Sequence, residues 1–228
     1  YAIEKNLIRW EASQIGYNPD LAGGLFVSGG SMANLTALVA ARDEKIPFEK
    51  TPQSCVYFAD QTHHSVDKAI KIMGLSEKQM RIIKSNDEFQ MIPEELEAQI
   101  QKDLENGFMP SIIIASAGTT NTGSVDKLDQ IADIAEKHDI WLHVDGAYGA
   151  SYILSDYEKH RFKGIDRADS VSWDGHKMLY QNYSSAMVLV KDKRFLFNSY
   201  SAKPEYLEDV ELEGHDNFGS LGIELTRP

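Results

Sequence analysis

Short apolar runs alternate with helix-period segments along almost the whole chain, and no other feature of the sequence restricts the fold as much. Strand-like runs fall at 25–27, 55–59, 80–83, 111–115, 140–144, 169–173 and 186–190. Between them lie helix-like stretches at 1–15, 32–42, 65–73, from Pro93 onward, and 128–138. Ile3, Leu7 and Trp10 share one face of the first. Pro93 stands where a helix tolerates proline, in its first turn, and Leu96, Ile100 and Leu104 follow at i, i+4, i+8. In 128–138 the residues Leu128, Ile131, Ala132 and Ala135 are expected to face inward. Strands that are almost continuously apolar and alternate with helices imply an α/β fold, a mainly parallel sheet covered by helices.

In such sheets ligands bind at the carboxyl ends of the strands. The unusual polar residues cluster there: 28–31, 60–64, 118–120, Asp145 and 174–177. Of the 228 residues, 42% are hydrophobic and 25% charged, ordinary for a globular domain. The net charge of −12 argues against nucleic acid or an anionic membrane as partner, since both need a basic face. Cys55 is the only cysteine, so no intrachain disulfide forms and a reducing, cytoplasmic location is expected. No apolar run reaches the ~20 residues of a membrane-spanning helix. The chain opens on Tyr1 inside a helix-like segment and stops at Pro228 with no closing element, the pattern expected of part of a longer chain.

Four segments carry candidate chemistry, each with a structural alternative. The glycines of Ser28-Gly29-Gly30-Ser31 let backbone amides approach an anion at a helix N-terminus, and Ser31 adds a hydroxyl; equally, this is a turn with a serine N-cap. It is neither a Walker loop nor a dinucleotide fingerprint. Asp145, at the end of an apolar strand, needs a partner, either a protonated ring nitrogen or the N-terminus of the next helix. Lys177, amid apolar residues and beside His176, is either a desolvated Schiff-base lysine or a surface charge. The His63-His64 pair can stack on an aromatic cofactor, ligate metal or be structural; adjacent positions on a strand do not share a face, which speaks against joint chelation.

The segments Ser-Gly-Gly-Ser (28–31), Gln-Thr-His (61–63), Ala-Gly-Thr-Thr (117–120), His-Val-Asp-Gly-Ala-Tyr (143–148) and Asp-Gly-His-Lys (174–177) come in this order. Together they resemble the group II amino-acid decarboxylases that use pyridoxal 5′-phosphate (PLP), the family of glutamate, aromatic-amino-acid, cysteine-sulfinate and 2,4-diaminobutyrate decarboxylases. The resemblance covers nearly the whole chain. It implies the aspartate-aminotransferase-like fold (fold type I), with residues 1–228 forming a truncated PLP-binding large domain that lacks the family's N-terminal segment and C-terminal small domain. It implies that Lys177 carries PLP as a Schiff base, that Asp145 pairs with the pyridine nitrogen, and that His63 and Ala147 cover the two ring faces. Gly30 and Ser31, helped by His176, hold the phosphate, and Thr119 lies near the cofactor edge. Tyr206, in the polar segment 202–208, matches the tyrosine of the family's catalytic loop. The implied activity is decarboxylation of an L-amino acid by a homodimer with shared active sites. Many relatives carry Asn where this chain has Asp174, and a carboxylate beside a phosphate is repulsive unless it turns to a donor such as His176. The acidic stretch 205–213 is expected to be a solvated loop. Rival readings are an aminotransferase, desulfurase or carbon–carbon lyase of the same fold, a metal-dependent hydrolase built on His63, His143 and His176, or a fragment inactive by itself.

Overall fold

A computed structural model describes residues 2–201 and 221–224. Among the described residues seven strands form one sheet: β1 (Gly23–Val27), β2 (Ser54–Ala59), β3 (Met80–Ile83), β4 (Met109–Ser116), β5 (Trp141–Asp145), β6 (Ser170–Asp174) and β7 (Ala186–Val190). Their spatial order is β1-β7-β6-β5-β4-β2-β3. The run β3-β2-β4-β5-β6 is parallel, and β7 pairs antiparallel with both β6 and β1. The sheet is therefore mainly parallel, as the alternation of elements requires.

Helices α1 (Ala2–Ile15), α4 (Pro93–Glu105) and α5 (Leu128–Lys137) bury apolar side chains in one cluster against the sheet, with Tyr57, Ile113, Val144 and Trp173. Helices α2 (Gly30–Lys45) and α3 (Ser65–Ile72) pack on Val56, Phe58, Ile112 and Ile114. α2 also packs, with α6 (Arg194–Tyr200), on Leu25, Val27 and Val188. Because the two sets of strand residues alternate in sequence, they point to opposite faces, and the sheet is covered on both. At the edge, β3 leaves Ile82 exposed.

Two helix faces differ from the sequence expectation. α5 buries Leu128, Ile131, Ala132 and Ala135 as expected. In α4, Leu96 and Ile100 are buried but Leu104 is exposed. Two i+4 steps turn 800°, so the third position has rotated 80° off the seam. In α1 the shared face of Ile3, Leu7 and Trp10 is exposed, and the helix packs through Ile8, Ala12 and Ile15.

That packing face of α1 also carries Glu11, 3% exposed, with Oε2 lacking a hydrogen-bond partner among the described residues. Burial pushes its carboxyl up to about 8 from the ordinary 4.5. A raised carboxyl favours folding while protonated, so this contribution is full below pH 4.5 and is lost as pH rises through 8. The slope is ~1.4 kcal/mol per pH unit over that window. Glu11→Gln is expected to match the wild type near pH 5 and to exceed its stability by on the order of 2–4 kcal/mol at pH 8.5. Urea unfolding at the two pH values measures the difference, and an equal gap at both would show that Glu11 does not titrate in this window.

Candidate active site

The alternation of β5 and β6 places a polar stripe inside the sheet. Leu142, Val144, Val171 and Trp173 join the cluster under α1, α4 and α5. The intervening Trp141, His143 and Asp145, with Ser170, Ser172 and Asp174, point to the other face, toward α2. Strand register sets His143 beside Ser170 and Asp145 beside Ser172. These strands are thus buried but not continuously apolar, contrary to the sequence expectation. Ala33, Ala37, Ala40 and Ala41 of α2 are buried, and such small side chains let the helix approach the stripe.

Asn34 of α2 enters the stripe at 1% exposure. Its Nδ2 donates to Asp145 Oδ2 at 2.8 Å and to Ser65 Oγ at 3.1 Å, while Oδ1 lies 3.0 Å from His143 Nε2. Asp145 Oδ1 accepts from the Ala147 amide and from Ser172 Oγ, both at 3.2 Å. The bond to Ala147 closes the turn after β5; Asp145 does not cap the next helix, whose N-cap is Gly149. The turn-closing role and a ligand role coexist. Burial pushes the His143 imidazole down to about 4, against the opposing pull of Asp145 and Ser170.

A cleft of about 320 Å³ opens at the carboxyl ends of β1, β2, β4, β5 and β6. It brings together the expected residues Gly30, Ser31, His63, Thr119, Asp145, Ala147, His176 and Lys177, together with Asn34, Ser65 and Tyr183. Tyr206 lies outside the described residues, as does the acidic stretch 205–213. His63 and His64 sit in the turn before α3, not on a strand. His63 Nδ1 is 2.8 Å from Ser65 Oγ, and His64 turns to Asp67 at 3.7 Å. Thr119 Oγ1 is tied to Thr122 Oγ1 at 2.5 Å. Gly118 precedes it at φ +100°, where an added Cβ would lie 2.8 Å from Gly149 Cα, so glycine is required for the turn.

The lysine and the glycine turn also differ from expectation. Lys177 is not held among apolar side chains: it is 37% exposed, with Nζ 3.2 Å from Asp174 Oδ2. His176 Nε2 lies 3.4 Å from the same oxygen and its ring stacks on Tyr183. The Gly30 amide, expected to face an anion, donates to Asp174 Oδ2 at 3.2 Å. An added Cβ at Gly30 would come within 2.9 Å of Ala147 Cβ and 3.0 Å of Asp174 Oδ2, so the approach needs glycine. The cap of α2 is Gly29, with no side-chain cap, so the serine N-cap does not form. Burial raises the Asp174 carboxyl, opposed by Lys177 and His176. Asp174 Oδ1 and His176 Nδ1 are buried and have no hydrogen-bond partner among the described residues. Each such orphan costs roughly 1–3 kcal/mol unless a ligand meets it.

Three residues of the site, Asn34, Ser65 and Ser172, gain their roles only from the structure. A signal for them was present: polar residues at every second position of His143-Val144-Asp145 and Ser170-Val171-Ser172-Trp173-Asp174 mark a strand with one polar buried face. Asn34, one helical turn after Gly30, falls on the same helix face.

A family model described as the pyridoxal-dependent decarboxylase conserved domain matches residues 3–227. The chain is 45% identical to an aromatic-L-amino-acid decarboxylase of Bacillus atrophaeus, over 99% of this chain and 47% of that protein. It is 33% identical to the cysteine sulfinic acid decarboxylase of Rattus norvegicus, over 90% of this chain and 43% of that one. The crystal structure of Oryza sativa TDC with PLP and tryptamine superposes with a TM-score of 0.90 at 27% identity, over 97% of this chain and 48% of that one. Mouse CSAD gives 0.83 at 31% identity, over 89% and 44%. The chain spans about half the length of the curated relatives it matches.

His143 yields a prediction about acid stability. Its folded pKa lies below the ordinary 6.5, so its contribution is full above pH 6.5 and is lost as pH falls through about 4. The loss amounts to about 3 kcal/mol at most. His143→Gln, which takes up no proton, is expected to show a shallower loss of stability between pH 7.5 and 4.5 in urea unfolding. Parallel acid slopes in the two proteins would contradict this.

Proposed function

Because the match over residues 3–227 makes this chain a member of the pyridoxal-dependent decarboxylase family, we propose that it forms the PLP-binding part of an enzyme that decarboxylates an L-amino acid to its amine and CO2. One observation carries this reading: Asp145 at the end of β5 and Lys177 just beyond β6 line the same cleft. When bound, PLP supplies a protonated pyridine ring that accepts the electron pair left on the substrate carbon as CO2 departs.

The residues present fit that group. Of the roughly four acceptor positions on the Asp145 carboxylate, three are taken, two on Oδ1 and one on Oδ2. Oδ2 keeps one for a cationic N–H such as a pyridinium. His176, with Nε2 turned to Asp174, has Nδ1 without a partner among the described residues, available to an anionic phosphate. Lys177 would hold the cofactor covalently through Nζ, released from Asp174. Ser31, exposed beside Gly30, would supply a hydroxyl to the phosphate. His63 and Ala147 would cover the ring faces, and Thr119 would border its edge.

Asp145 has the central electrostatic role, because its negative charge stabilises positive charge on the ring nitrogen. Tyr206 is assigned, on the resemblance of its segment to the family's catalytic loop, the delivery of a proton to the substrate carbon after CO2 leaves. A cytoplasmic homodimer with shared sites completes the reading. Exposed Tyr183 at the cleft supports the dimer, and the lone, free Cys55 supports a reducing compartment.

Borohydride reduction of the PLP-loaded protein followed by peptide mapping is expected to label Lys177; a label on a different lysine refutes its assignment. Asp145→Asn is expected to keep that label while CO2 release falls about 10²–10³-fold, the scale for removing a preorganised charge partner. Near-normal turnover in this variant would contradict the role of Asp145. Formation of a keto acid in place of amine and CO2 would point to a different enzyme of the same fold.

A further inference from the structure

We propose that Asn34 is the positioning residue of this site: its side-chain amide fixes the Asp145 carboxylate and the His63 ring together, at the end of a hydrogen-bond chain that runs through His143 and Ser170 to Trp141 in the core. This rests on the reading above, in which Asp145 and His63 face PLP.

The order follows from the groups that have no choice of role. Trp141 Nε1 only donates, and it lies 2.9 Å from Ser170 Oγ. Ser170 Oγ accepts from the indole and lies 2.8 Å from His143 Nδ1; a hydroxyl has two acceptor sites, so this end by itself leaves either group as the donor. His143 Nε2 lies 3.0 Å from Asn34 Oδ1. From the other end, an ionised Asp145 only accepts, so the group that faces it must be the Asn34 NH2 and not the amide oxygen. Asn34 Oδ1 then faces His143, so Nε2 carries the imidazole proton, Nδ1 of the neutral ring accepts, and the Ser170 hydroxyl donates to it. The indole donor at Ser170 is compatible with this order.

The second Asn34 proton continues the chain. Nδ2 donates to Ser65 Oγ, and the Ser65 hydroxyl gives its proton to His63 Nδ1, which also accepts from the Ser65 amide at 3.2 Å. His63 is thus held with Nδ1 as acceptor and its proton on Nε2. One buried amide thereby orients the residue proposed to meet the ring nitrogen and the residue proposed to cover the ring face.

Asn34→Asp isolates this role, because the shape is kept and the acceptor for His143 is kept. The donors to Asp145 and Ser65 are lost, and two carboxylates come to face each other. Three measurements test the proposal. Nitrogen-15 NMR of the PLP-free wild type at neutral pH is expected to show His143 protonated on Nε2 and bare on Nδ1; the opposite tautomer overturns the proposal even if no variant folds. In Asn34→Asp, PLP affinity is expected to fall about tenfold or more, the scale of one lost charge-assisted hydrogen bond. The pH dependence of the bound cofactor's visible absorbance should shift with it. In the double variant Asn34→Asp, Asp145→Asn the partners are exchanged, so the thermal midpoint of the PLP-free protein should recover while the absorbance behaviour does not. A purely structural Asn34 would lower the midpoint in Asn34→Asp yet leave PLP affinity and the absorbance profile of the folded protein unchanged, and that result overturns the proposal. A wild type that takes up no PLP overturns both this inference and the functional reading; normal uptake with an unaffected Asn34→Asp overturns this inference alone.

Discussion

The structure depends on a buried polar stripe closed by one side chain. Six residues of β5 and β6 turn toward α2, and five of them (Trp141, His143, Asp145, Ser170 and Ser172) are hydrogen-bonded into a network that Asn34 completes. Burying such groups without partners would cost roughly 1–3 kcal/mol each, more for a charge. The stripe is therefore tolerable only if α2 lies close enough for Asn34 to reach it. The alanines of α2 make that approach possible, and it also brings Gly30 against Ala147 and Asp174. The helix packing that satisfies the stripe also builds one wall of the cleft.

The other wall is organised by Asp174. Its Oδ2 faces the Gly30 amide, Lys177 and His176, which joins the glycine turn to the lysine segment. Burial alone would disfavour this charge, and the two basic side chains oppose that effect. The carboxylate that looked repulsive beside an anion is the group that holds Lys177 and His176 toward the cleft. It also occupies the amide that an anion was expected to use. Cofactor entry on the proposed reading must therefore release Lys177 from Asp174, and Ser31 and His176 take the larger share in meeting the phosphate.

Much of this was legible in the sequence. Apolar runs of strand length between helix-period segments located the seven strands, and the polar residues after them marked the mouth of the cleft, because parallel strands put all their carboxyl ends on one edge. The motif order brought Lys177, Asp145, His63 and Thr119 into one group, and the cleft gathers them. The less legible features are those that depend on neighbours distant in sequence. Leu104 continues an i+4 pattern yet is exposed, because the seam of a helix rotates under its own period. On α1 the more obvious apolar face points outward, while the face with Glu11 packs on the sheet.

The sequence by itself determined the α/β class, the strands, the covered sheet and the residues available for chemistry, since these follow from local periodicity and from side-chain type. Only the tertiary structure decided how those residues are used: that β7 runs antiparallel, that Lys177 is paired with Asp174 and not desolvated among apolar groups, and that Asn34 joins His143, Asp145 and Ser65. The physical reason is that a hydrogen bond needs its partners within about 3 Å, and the partners of Asn34 are 31 to 111 residues away in the chain. Periodicity can say which face a residue occupies, but which groups meet across that face is fixed only when helix and sheet pack together.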